Sequence, residues 1–218
     1  MPYRRTDSVV RRLAARKDAI LEAARLLAHE GGMGAVQIAA VAKRADIASG
    51  TVYRYFPAKT DLVAALIDLV SGREIGAMRR AAAGAPGPLS ALAASIATFA
   101  GRALRERRLA WAALAEPVDA DADAARLAFR RALAAEFQAR ITAAMENRLL
   151  PEQDAALAAP ALVGALLEGL IGPLAPVQVG TDSAARRDAV QTLTLLSLRA
   201  LGVMDARARG IVVQTAIP

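Results

Sequence analysis

Cysteine is absent from this chain, so disulfides, thiolate metal sites and cysteine nucleophiles are excluded. Histidine occurs once, at His29, on what reads as the exposed side of a helix. There is no Gly-rich phosphate loop and no carboxylate pair beyond aspartates placed to cap helices. An enzyme would therefore lack a catalytic constellation, and no cofactor or metal site is expected. A long hydrophobic run is also missing. The longest uncharged stretch, Ala81 to Gly101, has 21 residues, enough in length to span a bilayer. Gly84, Pro86, Gly87 and Pro88 break it, and the remaining large residues, Leu89, Leu92, Ile96 and Phe99, form one stripe of an amphipathic soluble helix. No membrane association follows from this pattern. The arginine-rich start has no apolar core of the signal-peptide kind, so a cytoplasmic location is expected.

What is present is basic and alanine-rich. The 218 residues carry a formal net charge of +7, unevenly spread. Residues 1–60 hold 11 Lys/Arg against 5 Asp/Glu, and residues 61–218 hold 17 against 16. A cationic N-terminal part on a near-neutral body suits a polyanion-binding region, although a solubilising surface would carry the same charge. No internal repeat and no strand pattern is visible, except for a short apolar run at Ile211 to Val213 in a tail expected to be loose.

The chain is organised around Gln37 to Lys59, QIAAVAKRADIASGTVYRYFPAK. Ile38, Val41 and Ala42 lie at helical spacing, and Val52 and Phe56 repeat it after a turn. Asp46 sits where a reversing chain needs a left-handed residue. Ser49 and Gly50 are placed to cap the second helix, and Phe56 ends it because it precedes Pro57. The outward residues Ser49, Thr51, Tyr53, Arg54 and Tyr55 are hydrogen-bond donors suited to a DNA major groove.

Residues Ala48 to Lys59, ASGTVYRYFPAK, resemble the signature of the tetracycline-repressor-like (TetR) family of transcriptional regulators. The resemblance extends over residues 17–67. Gln37, Ala39, Asp46 and Ala58 depart from the residues usual at their positions. The resemblance implies an all-α fold. Residues 1–58 would form a three-helix DNA-binding domain with a helix-turn-helix and a basic arm carrying Arg4 and Arg5. Residues 59–218 would form a helical effector-binding and dimerisation domain. It further implies a repressor that binds double-stranded DNA at a palindromic operator as a homodimer and is released by a small-molecule effector. Thr51, Tyr53, Tyr55 and Lys59 are assigned to phosphates, Ser49, Gly50 and Arg54 to base edges, and Gln37 to a backbone contact from the first helix of the pair. Packing beside Phe56 is the alternative for Tyr53 and Tyr55. A helical binding module without operator recognition remains the alternative function.

The first helix is expected to start from a cap at Asp7 or Ser8 and run to about His29, burying Val9, Leu13, Ile20, Ala24 and Leu27. Its first half carries Arg11, Arg12, Arg16 and Lys17. Further helices are expected over 59–78, 89–105, a short piece around Trp111 ending near Pro117, 122–149, 152–174 and 183–201. The alternating Asp119, Asp121 and Asp123 resemble the start of a calcium loop, but Ala124 and Arg130 stand where its glycine and glutamate belong, so helix capping explains them. In the helix over 122–149 the large residues recur every fourth position, and the stripe drifts by about 40° per step, so this helix should cross several neighbours. The last two helices are apolar on more than one side and must be buried on more than one side. Leu162, Leu167, Val190, Leu193, Leu196 and Ser197 are assigned to the dimer interface. The effector pocket is assigned to Phe99, Trp111, Glu116, Phe129, Phe137, Leu166 and Leu170. The same aromatics could instead simply fill the core. With Glu116 and Glu168 near these apolar segments, a cationic or hydrogen-bonding apolar ligand is the expectation.

Overall fold

The structure is a computed structural model and describes residues 7–117, 120–176 and 182–217. All regular elements among these residues are helical: α1 (Asp7–Gly31), a 3-10 turn (Met33–Ala35), α2 (Ile38–Arg44), α3 (Ser49–Tyr55), α4 (Lys59–Ala83), α5 (Pro88–Arg105), α6 (Arg107–Leu114), α7 (Ala120–Glu146), α8 (Ala155–Leu170), α9 (Ser183–Ala200) and α10 (Asp205–Gln214). The arm with Arg4 and Arg5, Asp119, and the side chains of Asp7, Ser8 and Asp121 lie outside the described part.

Helix α1 changes character midway. Residues 14–19 are exposed, whereas Ile20, Leu21, Ala23, Ala24 and Ala28 are buried. Val9, Leu13 and Leu27, expected in the buried face, are only half-buried. The chain turns at Gly32, whose φ of 74° lies in the left-handed region. A Cβ there would stand 2.8 Å from a Glu116 carboxylate oxygen, so glycine is required both for conformation and for space. Asp46 adopts φ 52° between α2 and α3, as its place in the sequence suggested. The Ile47 amide then donates to the Ala42 carbonyl at 3.0 Å and closes the reversal. The expected capping by Ser49 and Gly50 is not found. Ala48 is the N-cap in extended conformation, and Ser49 and Gly50 are already the first two helical residues. Phe56 is extended before Pro57.

Helix α4 starts with Asp61 accepting from the Ala58 amide at 2.9 Å. It runs on to Ala83, past the expected end at Met78, because no breaker intervenes before Gly84. Helix α5 has Pro88 in its first turn, where a missing N–H costs nothing. Its stripe Leu89, Leu92, Ile96 and Phe99 is buried. Helix α7 packs on α4, α5, α6 and α8, as a drifting apolar stripe requires. Asp123 belongs to its first turns and pairs with Arg126 at 3.4 Å.

Two ends differ from the sequence expectation. Helix α8 begins at Ala155, because Asp154 accepts from the Ala156 and Leu157 amides at 2.9 and 3.1 Å. It stops at Leu170, short of the Gly172–Pro173 pair. The run Ile211 to Val213 is helical, within α10, with Ala208 and Val212 buried one turn apart. Packing of this face on α9 and α5 outweighs the strand preference of three β-branched residues.

Candidate nucleic-acid interface and effector cavity

Helix α3 rests on Val52 and, just beyond its end, Phe56, both buried. Its opposite face presents Ser49, Gly50, Tyr53 and Arg54 to solvent, with Tyr53 50% exposed. Thr51, Tyr55 and Lys59 are half-buried at the flanks of this face. Arg54 stacks against the Tyr55 ring at 5.9 Å, and Lys17 of α1 lies over the Phe56 ring at 5.8 Å. Gly50 has open space where a Cβ would stand. Gln37 is exposed and donates from Nε2 to the Gly34 carbonyl at 2.9 Å. Of the sequence-predicted DNA set, Gln37, Ser49, Gly50, Tyr53 and Arg54 are thus exposed and Thr51, Tyr55 and Lys59 half-buried. Arg44, at the end of α2, is held by Glu30 of α1 at 2.6 and 2.7 Å. Its hydrogen bonds keep the Glu30 carboxyl below the ordinary carboxylate value.

The seven proposed effector residues do not converge. Phe99 and Phe129 line a cavity of about 70 Å³ between α4, α5, α6 and α7, together with Val70, Leu109 and Leu114. Its polar edge is Glu74, Arg102, Arg105 and Glu106. Trp111 instead lines an open cleft with Arg107, Arg108, Ile171 and Pro173. Phe137 and Leu170 are fully buried core residues, and Leu166 borders the groove between α8 and α9. Glu116 points the other way, accepting from the Met33 amide at 2.7 Å.

That Glu116 contact belongs to a polar seam that sequence reasoning missed. Arg108 donates to the Gly31 carbonyl at 3.0 Å, so α6 grips the corner after α1 from both sides of Gly32. Arg25 of α1 donates to both Glu106 oxygens at 3.2 Å and to Glu22 at 2.8 Å, and Arg73 of α4 also reaches Glu22. The Arg25 hydrogen bond outweighs burial and holds the Glu22 carboxyl below its ordinary range. Glu74 takes a two-pronged contact from Arg102 at 2.8 and 2.7 Å. The far end of α6 is pinned by α7: Arg126 donates to the Ala112 carbonyl and Arg130 to the Leu114 carbonyl, serving oxygens that a helix end leaves unpaired. No periodicity could have signalled these pairs. The only hint was an excess of arginine on segments otherwise apolar.

Of the proposed interface residues, Leu196 is 53% exposed and Leu193 half-buried, while Leu162, Leu167 and Ser197 are buried within the protomer. Val190 has no exposed surface and faces the protomer's own core, between α5 and α9. Besides Leu196, exposed apolar residues of this region include Leu157, Ala161 and Ala165 of α8 and Ala200 of α9.

Three N-terminal helices, the second and third joined by a tight reversal, on a body of helices define a helix-turn-helix protein of two-part all-α architecture. Residues 20–66 match the family of bacterial regulatory proteins described as the tetR family. The HTH-type transcriptional repressor KstR of Rhodococcus jostii RHA1 is 56% identical over 48 residues, 22% of this chain and 23% of that protein. KstR of Mycolicibacterium smegmatis is 49% identical over 59 residues, 27% of each chain. The matched stretch thus spans about a quarter of the length of these relatives. Among solved structures, RolR in complex with resorcinol matches at a TM-score of 0.69 with 22% identity, over 96% of this chain and 98% of that one. FadR of Bacillus halodurans matches at 0.73 with 20% identity, over 87% and 97%. FadR of Bacillus subtilis in complex with stearoyl-CoA matches at 0.68 with 20% identity, over 81% and 97%. These likenesses establish the same fold along most of the chain. No helix among the described residues is long and apolar enough to cross a membrane.

Proposed function

We propose that this protein is a transcriptional repressor that binds operator DNA as a homodimer and is released by a small molecule. Residues 1–58 would be the DNA-binding domain and residues 59–218 the effector and dimerisation domain. The observation that carries the reading is the outer face of α3. Ser49, Gly50, Tyr53 and Arg54 are all turned to solvent from a helix anchored by Val52 and Phe56. A seven-residue helix with such an unpartnered polar face fits a major groove, with Arg54 reaching a guanine and Tyr53 and Lys59 setting position on phosphates.

The exposed apolar residues of α8 and α9, Leu157, Ala161, Ala165 and Leu196, would meet the same residues of a second copy across a two-fold axis. Two α3 helices would then face half-sites about one turn of DNA, or a multiple of it, apart. The cavity between α4 and α7 is the effector site in this reading. By a measure in which a water needs about 10–15 Å³, its volume suits roughly one aromatic ring. That is closer to the resorcinol bound by RolR than to the stearoyl-CoA bound by FadR of Bacillus subtilis. The cavity lining includes Glu106, which holds Arg25 of α1. An occupant that disturbs this pair biases the placement of the DNA-binding helices, provided it prefers the displaced state.

The test is fluorescence anisotropy with the DNA upstream of the protein's own gene and with random DNA of equal length. Arg54→Ala should cost about 1–3 kcal/mol on the cognate site and little on random DNA, and Lys59→Ala should weaken both and flatten the salt dependence. Equal binding to both DNAs by the unmodified protein would favour a helical binding module without operator recognition.

A further inference from the structure

We infer that the cavity between α4, α5, α6 and α7 takes a small apolar acid, a carboxylate of about one aromatic ring in bulk, received at the mouth by Arg105 and Arg102. The inference rests on the cavity being the effector site and names the chemical class that the site accepts.

The interior of the cavity offers almost no hydrogen bonding. Phe99, Leu109, Leu114 and Phe129 are buried apolar walls, so the inserted part of a ligand must be apolar. All charge is at the mouth. Glu74 is fully engaged by Arg102 in a two-pronged pair, and both Glu106 oxygens accept from Arg25. Following the contacts outward adds Glu22, shared by Arg25 and Arg73. The Arg102–Glu74 pair and the separate group of Arg25 and Arg73 with Glu22 and Glu106 each balance. Arg105, which also lines the cavity, has no ion-pair partner among the described residues and leaves one positive charge over.

An unpaired arginine on open surface would signify little. Arg105 is itself exposed, but it lies three residues beyond Arg102 on α5, on the same side of the helix, at the edge of an apolar cavity. The side chains of Arg102 and Glu74 are 33% and 17% exposed, so their charges are less screened than on open surface, while Arg105 stands exposed at the rim. Position at the last turn of α5 accounts for a cation there, but not for an apolar cavity beside it. A cationic ligand would meet this surplus and find both carboxylates already taken. A neutral ligand would leave Arg105 as it is. An anion completes the balance, and a planar carboxylate matches the guanidinium fork. A small apolar acid departs from the cationic half of the sequence expectation, a cationic or hydrogen-bonding apolar ligand, which rested on Glu116 and Glu168. Neither lines the cavity, and Glu116 is bound to the Met33 amide. A carboxylate that also reaches Arg102 competes with Glu74 for it.

Two matched pairs of probes test this on the full chain at neutral pH: benzoate with benzamide, and phenylacetate with phenylacetamide, titrated calorimetrically. The carboxylate of each pair should bind at least about tenfold more tightly than its amide, the difference a charged hydrogen bond makes. Arg105→Gln should reduce carboxylate affinity about tenfold while leaving the amides unchanged. Glu74→Gln, which removes the internal competitor, should raise carboxylate affinity several-fold. Circular dichroism and thermal unfolding establish that each variant is folded. Amides binding as tightly as carboxylates, or a carboxylate preference that survives Arg105→Gln, would overturn the inference and leave the effector site standing. Failure of all four probes to bind at millimolar concentration would overturn the effector site itself.

Discussion

Gly50 is the residue whose replacement separates stability from DNA recognition most cleanly. It is the second residue of α3, it is exposed, and its φ is not in the left-handed region. A Cβ built there meets nothing within 4 Å. Nothing inside the protein therefore demands glycine, and alanine should be better. Glycine in a helix costs about 0.5–1 kcal/mol relative to alanine, mostly through the entropy of the unfolded chain. In a first turn the lower figure applies, so Gly50→Ala should raise the unfolding free energy by about 0.5 kcal/mol. On DNA the sign reverses. If the α3 backbone approaches base edges or phosphates at Gly50, the added methyl occupies that space and the helix must retreat. A retreat that loosens one or two contacts costs about 1–2 kcal/mol, or five- to thirtyfold in affinity. Because no charge is lost, the slope of log affinity against log salt should not change. Urea unfolding and anisotropy titrations at three salt concentrations measure both quantities on one preparation. A stabilised variant with undiminished operator affinity would refute close approach at Gly50, and with it the placement of α3 in the groove.

Ser95→Ala should stabilise the protein by about 1 kcal/mol in urea unfolding, because the Ser95 hydroxyl is buried in α5 and has no hydrogen-bond partner among the described residues, so its desolvation is uncompensated; a loss of stability would show that the hydroxyl is in fact satisfied. Leu196→Glu alters a side chain already 53% exposed, so the protomer should keep its helicity while light scattering reports a halved mass; an unchanged dimer would remove α9 from the interface. Glu136, 4% exposed, should dominate the acid sensitivity of the α4–α7 contact. Burial pushes its carboxyl up, but hydrogen bonds from Arg79 and Arg140 at 2.8 and 2.5 Å outweigh this and hold it below its ordinary value of 4.5. A depressed carboxylate contributes stability that is present above the unfolded value and is lost as pH falls through the folded one. Urea midpoints should therefore drop below about pH 4.5, and less steeply in Glu136→Gln, while an identical acid slope in the variant would assign the loss to other carboxylates.

Local chemistry explains which parts of the fold could be read in the sequence. Asp46, the Phe56–Pro57 stop and the apolar steps of α5 act within one or two turns, and each is found as expected. The start of α8 moved because two aspartate-like choices, Glu152 and Asp154, both precede the apolar run, and only the side chain of Asp154 reaches the free amides. The tail was misread for a different reason. Ile211, Val212 and Val213 carry a strand preference, but a run of three cannot display a period. What decides its state is whether Ala208 and Val212 find α9 and α5 to pack on.

The candidate sites divide along the same line. A recognition face is a property of one short helix, so Ser49, Tyr53 and Arg54 follow from Val52 and Phe56 pointing inward. A cavity is a property of several helices, and its lining depends on rotations that apolar spacing leaves open. Phe99 and Phe129 reach the cavity, but Phe137, equally large and in the same stripe as Phe129, lies in the core, so size alone does not choose the lining. Trp111 sits on α6, only eight residues long and closely followed by α7, and α7's Arg126 and Arg130 fix the rotation of its end. That rotation turns Trp111 toward Ile171 and Pro173, and carries Leu109 and Leu114 into the cavity wall. The same rotation presents Glu116 and Arg108 to the corner at Gly32, some eighty positions earlier in the chain. The arginines of α7 thus hold the end of α6 in the one rotation that both sets Leu109 and Leu114 in the cavity wall and keeps Arg108 and Glu116 on the corner after α1.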